Sequence, residues 1–222
     1  MDEYIIDQQV ENVTAEIEEK MAARNYSEAL SVLKSSWSFF RNQLNRKRGI
    51  IVGELLIRNG YFKEATGLFE HLVLLHPRDP SALRWWVQAY AETLDTNDII
   101  PRAEIAVCNP NVAISTFEHL CDALVKDGQF ERAKEILLRN RKRLQIRGHR
   151  LMMHILFYEE KNYQALIDYL TKAPENVVSR SEFATHLALS LNETGKVDQA
   201  HETLSELVSK GCINAGFTKY EL

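Results

Sequence analysis

The sequence predicts an all-α protein built from repeated helical hairpins. Three observations lead there. A short turn signature recurs along the chain at a near-constant spacing. Amphipathic stretches with apolar residues at i, i+3, i+4 and i+7 flank each copy. The prolines fall between those stretches, where a missing N–H is tolerated.

The signature is clearest at Gly60, Gly128 and Gly195, which open segments reading Gly-x-apolar-x-x-Ala and closing on Ala65, Ala133 and Ala200. A fourth copy, Arg24-Asn25-Tyr26-Ser27-Glu28-Ala29, lacks only the glycine, and a fifth, Lys161-Asn162-Tyr163-Gln164-Ala165, is one residue shorter. A degenerate copy lies near Thr96 to Ala103. Successive copies stand about 34 residues apart, the period of a helix–turn–helix repeat. This divides one domain, 1–222, into units at about 8–43, 46–77, 80–109, 111–144, 147–174 and 178–211, with 212–222 as a tail. The tail (with Phe217 and Tyr220) is a short cap, an interface or a bridge to further chain.

Each element has a physical reason. Glycine closes a helix in the left-handed conformation without steric cost. Where glycine is missing, Asn25 and Asn162 are the expected substitutes. The alanine is small enough to let two helix axes approach to about 8–10 Å. Upstream stretches such as Phe117–Leu124 and Ala184–Leu191 supply the first helix of a hairpin; downstream pairs such as Leu68-Phe69 and Ile136-Leu137 belong to the second. Pro77, Pro80, Pro110 and Pro174 separate units, and Pro101 is expected near a helix start.

The second unit, from Val52-Gly53 through Leu56, Gly60, Phe62, Ala65, Phe69 and Pro77, closely resembles a tetratricopeptide repeat. The fourth and sixth units resemble it well, the first and fifth partly, the third poorly, so the resemblance covers roughly residues 10 to 212. It implies a right-handed superhelical solenoid of about six antiparallel hairpins. It also implies that first helices line a concave side and that the ligand is a peptide or helix of a partner protein. On this register Glu18, Glu54, Ile57, Val87, Glu118, Asp122 and Tyr158 face the groove, with Glu11, Thr14, Ile50, Ala91, Val125, Leu151 and Ile155 beside them. An acidic start and an apolar continuation call for a basic and hydrophobic segment; the alternative is an ordinary solvated face. Acidic side chains also argue against a clamp for a carboxylate tail.

Two basic clusters lie at hairpin junctions: Arg46, Lys47 and Arg48 (with Arg41), and Arg141, Lys142 and Arg143 (with Arg139, Arg147 and Arg150). They are either cations placed at helix C-termini or contacts for phosphate, RNA or an acidic partner. Trp85 and Trp86 are adjacent and point about 100° apart on a helix. At least one is core, and the other is a candidate interface anchor.

Composition excludes several classes. A net charge of −4 gives no reason for the whole domain to bind nucleic acid. Cys108, Cys121 and Cys212 form no CxxC pair, so a reducing, cytoplasmic setting is expected. The first twenty residues are acidic, unlike a signal peptide, and no apolar run reaches the roughly 18 residues of a membrane span. No phosphate-binding, dinucleotide, zinc-protease or serine-hydrolase motif is present. The expectation is a non-enzymatic adaptor without cofactor. The alternatives are a docking or regulatory domain of a larger enzyme such as a transferase, or an anion or RNA binder. Self-association through the C-terminal end is compatible with each.

Overall fold

The computed structural model describes residues 2–93 and 96–209. They form thirteen α-helices and no strand among the described residues. The chain divides into two compact bodies, residues 1–123 and 124–222. The first contains the hairpins α1 (Asp2–Ala22) with α2 (Tyr26–Phe40), α3 (Arg46–Arg58) with α4 (Phe62–Leu75), and α5 (Pro80–Thr93) with α6 (Thr96–Val107). The division falls in α7 (Ile114–Lys126). The second body begins with α8 (Phe130–Arg139). It continues with α9 (Ile146–His154), which runs into a π-helical turn at Ile155–Glu159, and α10 (Tyr163–Leu170). A single turn, α11 (Glu175–Val178), leads to the hairpin of α12 (Ser181–Glu193) and α13 (Val197–Ser209). The tail at 212–222, including Cys212, lies outside the described residues, as does any interface it makes.

Four of the turns close by one device. The residue after the turn donates its N–H to a carbonyl five positions back: Tyr61 to Leu56 at 2.9 Å, Gln129 to Leu124 at 2.8 Å, Lys196 to Leu191 at 2.8 Å and Asn25 to Lys20 at 2.8 Å. This requires a left-handed residue, and Gly60, Gly128 and Gly195 have φ of 79°, 75° and 77°. In the two glycine-free turns the left-handed residues are Arg24 (φ 61°) and Lys161 (φ 50°). Asn25 and Asn162, expected there, have negative φ and begin the second helix instead. Asn162 does so with its side chain, which accepts from the N–H of Ala165 at 3.1 Å. A side chain in the left-handed region costs about 1–2 kcal/mol, partly offset by the greater unfolded-state freedom of glycine. Arg24→Gly and Lys161→Gly should therefore each stabilise their body by about 0.5–1 kcal/mol, measured by urea unfolding. A loss of stability would show that the two side chains are held there by other contacts.

The alanines do the work expected of them: Ala29, Ala65, Ala103, Ala133 and Ala200 are all fully buried. The fifth unit differs. Its α9 with the π turn holds one residue more than α3 between helix start and turn, and Asn162 bonds Leu156, six positions back. Leu166, not Ala165, consequently stands at the alanine position and is fully buried.

The third hairpin, poor in signature, is fastened differently. Pro101 is the sixth residue of α6, inside the helix rather than at its start, where it cannot donate to the carbonyl four residues back. The next residue, Arg102, lies over the Tyr90 ring at 4.0 Å, bonds the Asp98 carbonyl at 2.8 Å and reaches Glu70 on α4 at 3.3 Å. The Tyr90 hydroxyl donates to the same Glu70 carboxylate at 2.5 Å. Burial, with that carboxylate, pushes the phenol up to about 12.

Candidate functional site

The first-helix residues picked from sequence do not make one acidic face. Val87 is 0% exposed, Ile57 7% and Glu118 1%, so these three belong to the interior. Glu18 is exposed, with Lys47 at 3.2 Å, and Glu54 is half-buried, with Arg58 at 3.4 Å. Glu11, at the head of the same stripe, bonds Arg48 at 2.5 Å. Glu11 and Glu18 of α1 are thus matched by the basic residues that begin α3. Exposed pairs of this kind add little stability, but they cancel the local field that would draw a basic ligand.

The same contacts change the reading of the basic clusters. Arg48 is buried, its guanidinium shared between Glu11 and the Gln43 carbonyl. Arg46 pairs with the buried Asp79, whose carboxylate also caps α5 through the N–H groups of Ser81 and Ala82. Arg141 donates to the Tyr169 carbonyl at 2.6 Å. Arg48 and Arg141 are therefore structural, while Lys142 and Arg143 stay exposed on a 3-10 turn. Both tryptophans are also interior, at 5% and 8% exposure. Arg58 and Arg84 cover the ring of Trp85, and Arg102 and Tyr90 cover Trp86. Arginine stems explain why two adjacent tryptophans can both be covered.

Tyr158 is 53% exposed and sits at the π turn. Its hydroxyl lies 2.8 Å from His186 Nε2 on α12, and His186 Nδ1 lies 2.6 Å from the Glu182 carbonyl. A carbonyl only accepts, so Nδ1 carries a proton. Phe157 packs edge-on against both rings. Nearby, Glu182 holds Arg150 through two oxygens at 2.9–3.0 Å.

A concavity of the first body lies among second helices. It is a groove of about 550 Å³ with α2 and α4 as walls and α3 as floor. Leu30, Leu33, Lys34 and Trp37 line one wall, Tyr61, Glu64 and Leu68 the other, and Val52 and Leu56 the bottom. Trp37 and Tyr61 are each 39% exposed. Lys34 reaches across to the Tyr61 hydroxyl at 3.4 Å.

The equivalent place in the second body, among α8, α9 and α10, is a smaller cavity of about 330 Å³. Counted from the turns, Leu30 corresponds to Lys134, Trp37 to Arg141 and Leu68 to Tyr169; counted from the starts of α3 and α9, Val52 corresponds to Met152 and Leu56 to Leu156. There Lys134 is paired with Glu160 at 2.6 Å, and the Arg141 guanidinium lies over the Tyr169 ring at 4.7 Å. Beneath it the Tyr169 hydroxyl shares a 2.7 Å hydrogen bond with the buried His149. The second groove is narrowed by its own side chains, and the first is wider and more apolar. Sequence reasoning missed the wider one because apolar residues at i, i+3, i+4 and i+7 read as core. The available signal was the copy-to-copy exchange of Leu30 for Lys134 and Trp37 for Arg141.

Among the described residues no helix is long and apolar enough to cross a membrane, and no three His, Cys, Asp or Glu side chains are grouped to hold a metal ion. Burial, with Glu118 and Asp122, pushes the Cys121 thiol up to about 12, so it packs as a small apolar side chain.

No protein-family model matches the sequence. No curated protein matches it. Solved structures do. MamA of MSR-1 aligns with TM-score 0.50 and 14% identity over 91% of this chain and 98% of that one. MamA 41-end from Desulfovibrio magneticus RS-1 aligns with TM-score 0.51 and 14% identity over 90% and 93%. The fold is a tetratricopeptide-like helical repeat. At this identity the likeness concerns the fold alone. The groove lies between second helices of neighbouring hairpins, α2 and α4.

Proposed function

We propose that this chain is a protein-interaction scaffold and that a partner docks in the apolar groove between α2 and α4. The carrying observation is the contrast between the two equivalent grooves, one narrowed by Arg141 and Lys134, the other wider and more apolar, with Trp37 and Tyr61 half-exposed. Tryptophan and tyrosine, here on the walls of an apolar depression, are residue types that dominate binding energy at interfaces. Nothing in this role calls for a cofactor.

A second reading has its own support. The Tyr158, Phe157 and His186 cluster on first helices of the second body presents exposed aromatic surface on the side where the family's ligands are expected. Capture from the source extract, with nuclease and a salt wash in parallel, separates the two. The bait is the intact chain beside Trp37→Glu and Tyr158→Glu, each checked for unchanged helicity. A charge in the groove should lower recovery of the partner at least tenfold and leave the Tyr158→Glu bait unaffected. The reverse pattern moves the docking surface to the first-helix side. Recovery that is undiminished in both, or that disappears with nuclease, sinks both readings.

A further inference from the structure

Resting on the groove reading above, we infer that the occupant is an amphipathic α-helix of a partner protein, with an acidic residue on the flank facing α2 and a basic residue on the flank facing α4.

Three features of the groove point to a helix. The first is the scarcity of hydrogen-bonding groups. Its polar side chains are Lys34, Tyr61 and Glu64, against a floor and walls that are otherwise apolar. An extended segment would bring an N–H and a C=O per residue into that space, and the groove offers no backbone edge to pair them. Buried unpaired backbone groups are strongly disfavoured. A helix satisfies its own backbone and presents only side chains.

The second is periodicity. Leu30, Leu33, Lys34 and Trp37 stand at i, i+3, i+4 and i+7 of α2, and Tyr61, Glu64 and Leu68 at i, i+3 and i+7 across from them. Those rows form ridges about two turns, or ~10 Å, long. Ridges of this spacing interdigitate with the matching rows of another helix. A helix in such a groove reads its partner through anchors at i, i+3 or i+4, and i+7.

The third is charge. The α2 wall carries a cation, Lys34, and the α4 wall an anion, Glu64, which is exposed. A helix with opposite charges on its flanks fits in one direction and is repelled in the other.

The test is a display selection of random 14-residue peptides against the intact chain, counter-selected on Trp37→Glu and repeated on Lys34→Glu/Glu64→Lys. All three positions are partly or fully exposed, so the fold should persist. Helicity is checked in each variant. The expected result is enrichment of sequences with apolar residues at i, i+3 or i+4, and i+7 and opposite-sign flanks. Placing proline mid-sequence should weaken these peptides at least tenfold, and the charge-exchanged chain should select the opposite flanks. Enriched peptides that depend on Trp37 but alternate apolar residues at i and i+2, or tolerate the proline, would overturn the helix while leaving the groove reading intact. Flanks unchanged by the charge exchange would overturn the orientation. Peptides that bind Trp37→Glu equally well, or no enrichment at all, would remove the groove and this inference together.

Discussion

Gly53→Ala should destabilise the first body by about 1 kcal/mol, although alanine is the best helix former. Gly53 lies on α3, and a Cβ built there falls inside the van der Waals envelope of the Phe69 ring on α4. That ring is fully buried. Overpacking of this kind costs typically ~1–3 kcal/mol, and the ~1 kcal/mol gained in helix propensity offsets only part of it. Gly67 supplies the control. It is exposed on α4 with nothing within 4 Å of a built Cβ, so Gly67→Ala should stabilise by up to ~1 kcal/mol. The same methyl then has opposite signs at two helical glycines. Phe69→Leu should restore part of the stability lost in Gly53→Ala, because the two sites are in contact and couple. Urea unfolding of the four proteins and the double mutant reads all of this. Additive losses at Gly53 and Phe69 would mean that the ring and the glycine are not the source.

Acidification should weaken the second body through His149. Burial, and then the Arg141 guanidinium, hold its pKa below the ordinary value of 6.5. In the unfolded chain the ring takes up a proton near 6.5, whereas in the folded chain it does so only at lower pH. Over that interval the unfolded state binds more protons, so stability falls as pH drops below about 6.5 and levels off once the folded ring is also charged. One proton sets a ceiling of ~1.4 kcal/mol per pH unit on the slope. His149→Gln should remove this component, and Arg141→Ala should shrink it by deleting the nearby cation. Tyr169→Phe should cost a further ~1–3 kcal/mol at every pH by leaving a buried imidazole nitrogen without its hydroxyl. Denaturant unfolding at pH 5 and pH 7.5 checks the set. A His149→Gln protein that keeps the full pH slope would assign it to another group.

The hairpins and the glycine turns were legible because both obey local rules. A left-handed turn favours glycine, and an amphipathic helix repeats every 3.6 residues. What escaped was set by partners roughly one repeat away. The carboxylates of Glu11 and Glu18 read as an acidic face until the structure placed Arg48 and Lys47 against them. Trp85 and Trp86 could not both be assigned to the interior from their own helix, since two of the arginines that cover them, Arg58 and Arg102, come from α3 and α6. Arg24 and Lys161 occupy a conformation that neither side chain advertises. The wider groove is a difference between copies of one position, visible only once the register of each copy is known.

The widened turn at Ile155–Glu159 bears on how such an array tolerates length change. An added residue in an ordinary helix rotates everything beyond it by about 100°, which would carry the buried face of α10 out to solvent. Here the surplus is spent within five residues, and Leu166, Ile167 and Leu170 still point inward. Inheritance in this chain is therefore of faces and not of residue counts. Insertions of one residue in a first helix can persist as a local bulge, and the register downstream is reset at the next turn rather than propagated to the end of the chain.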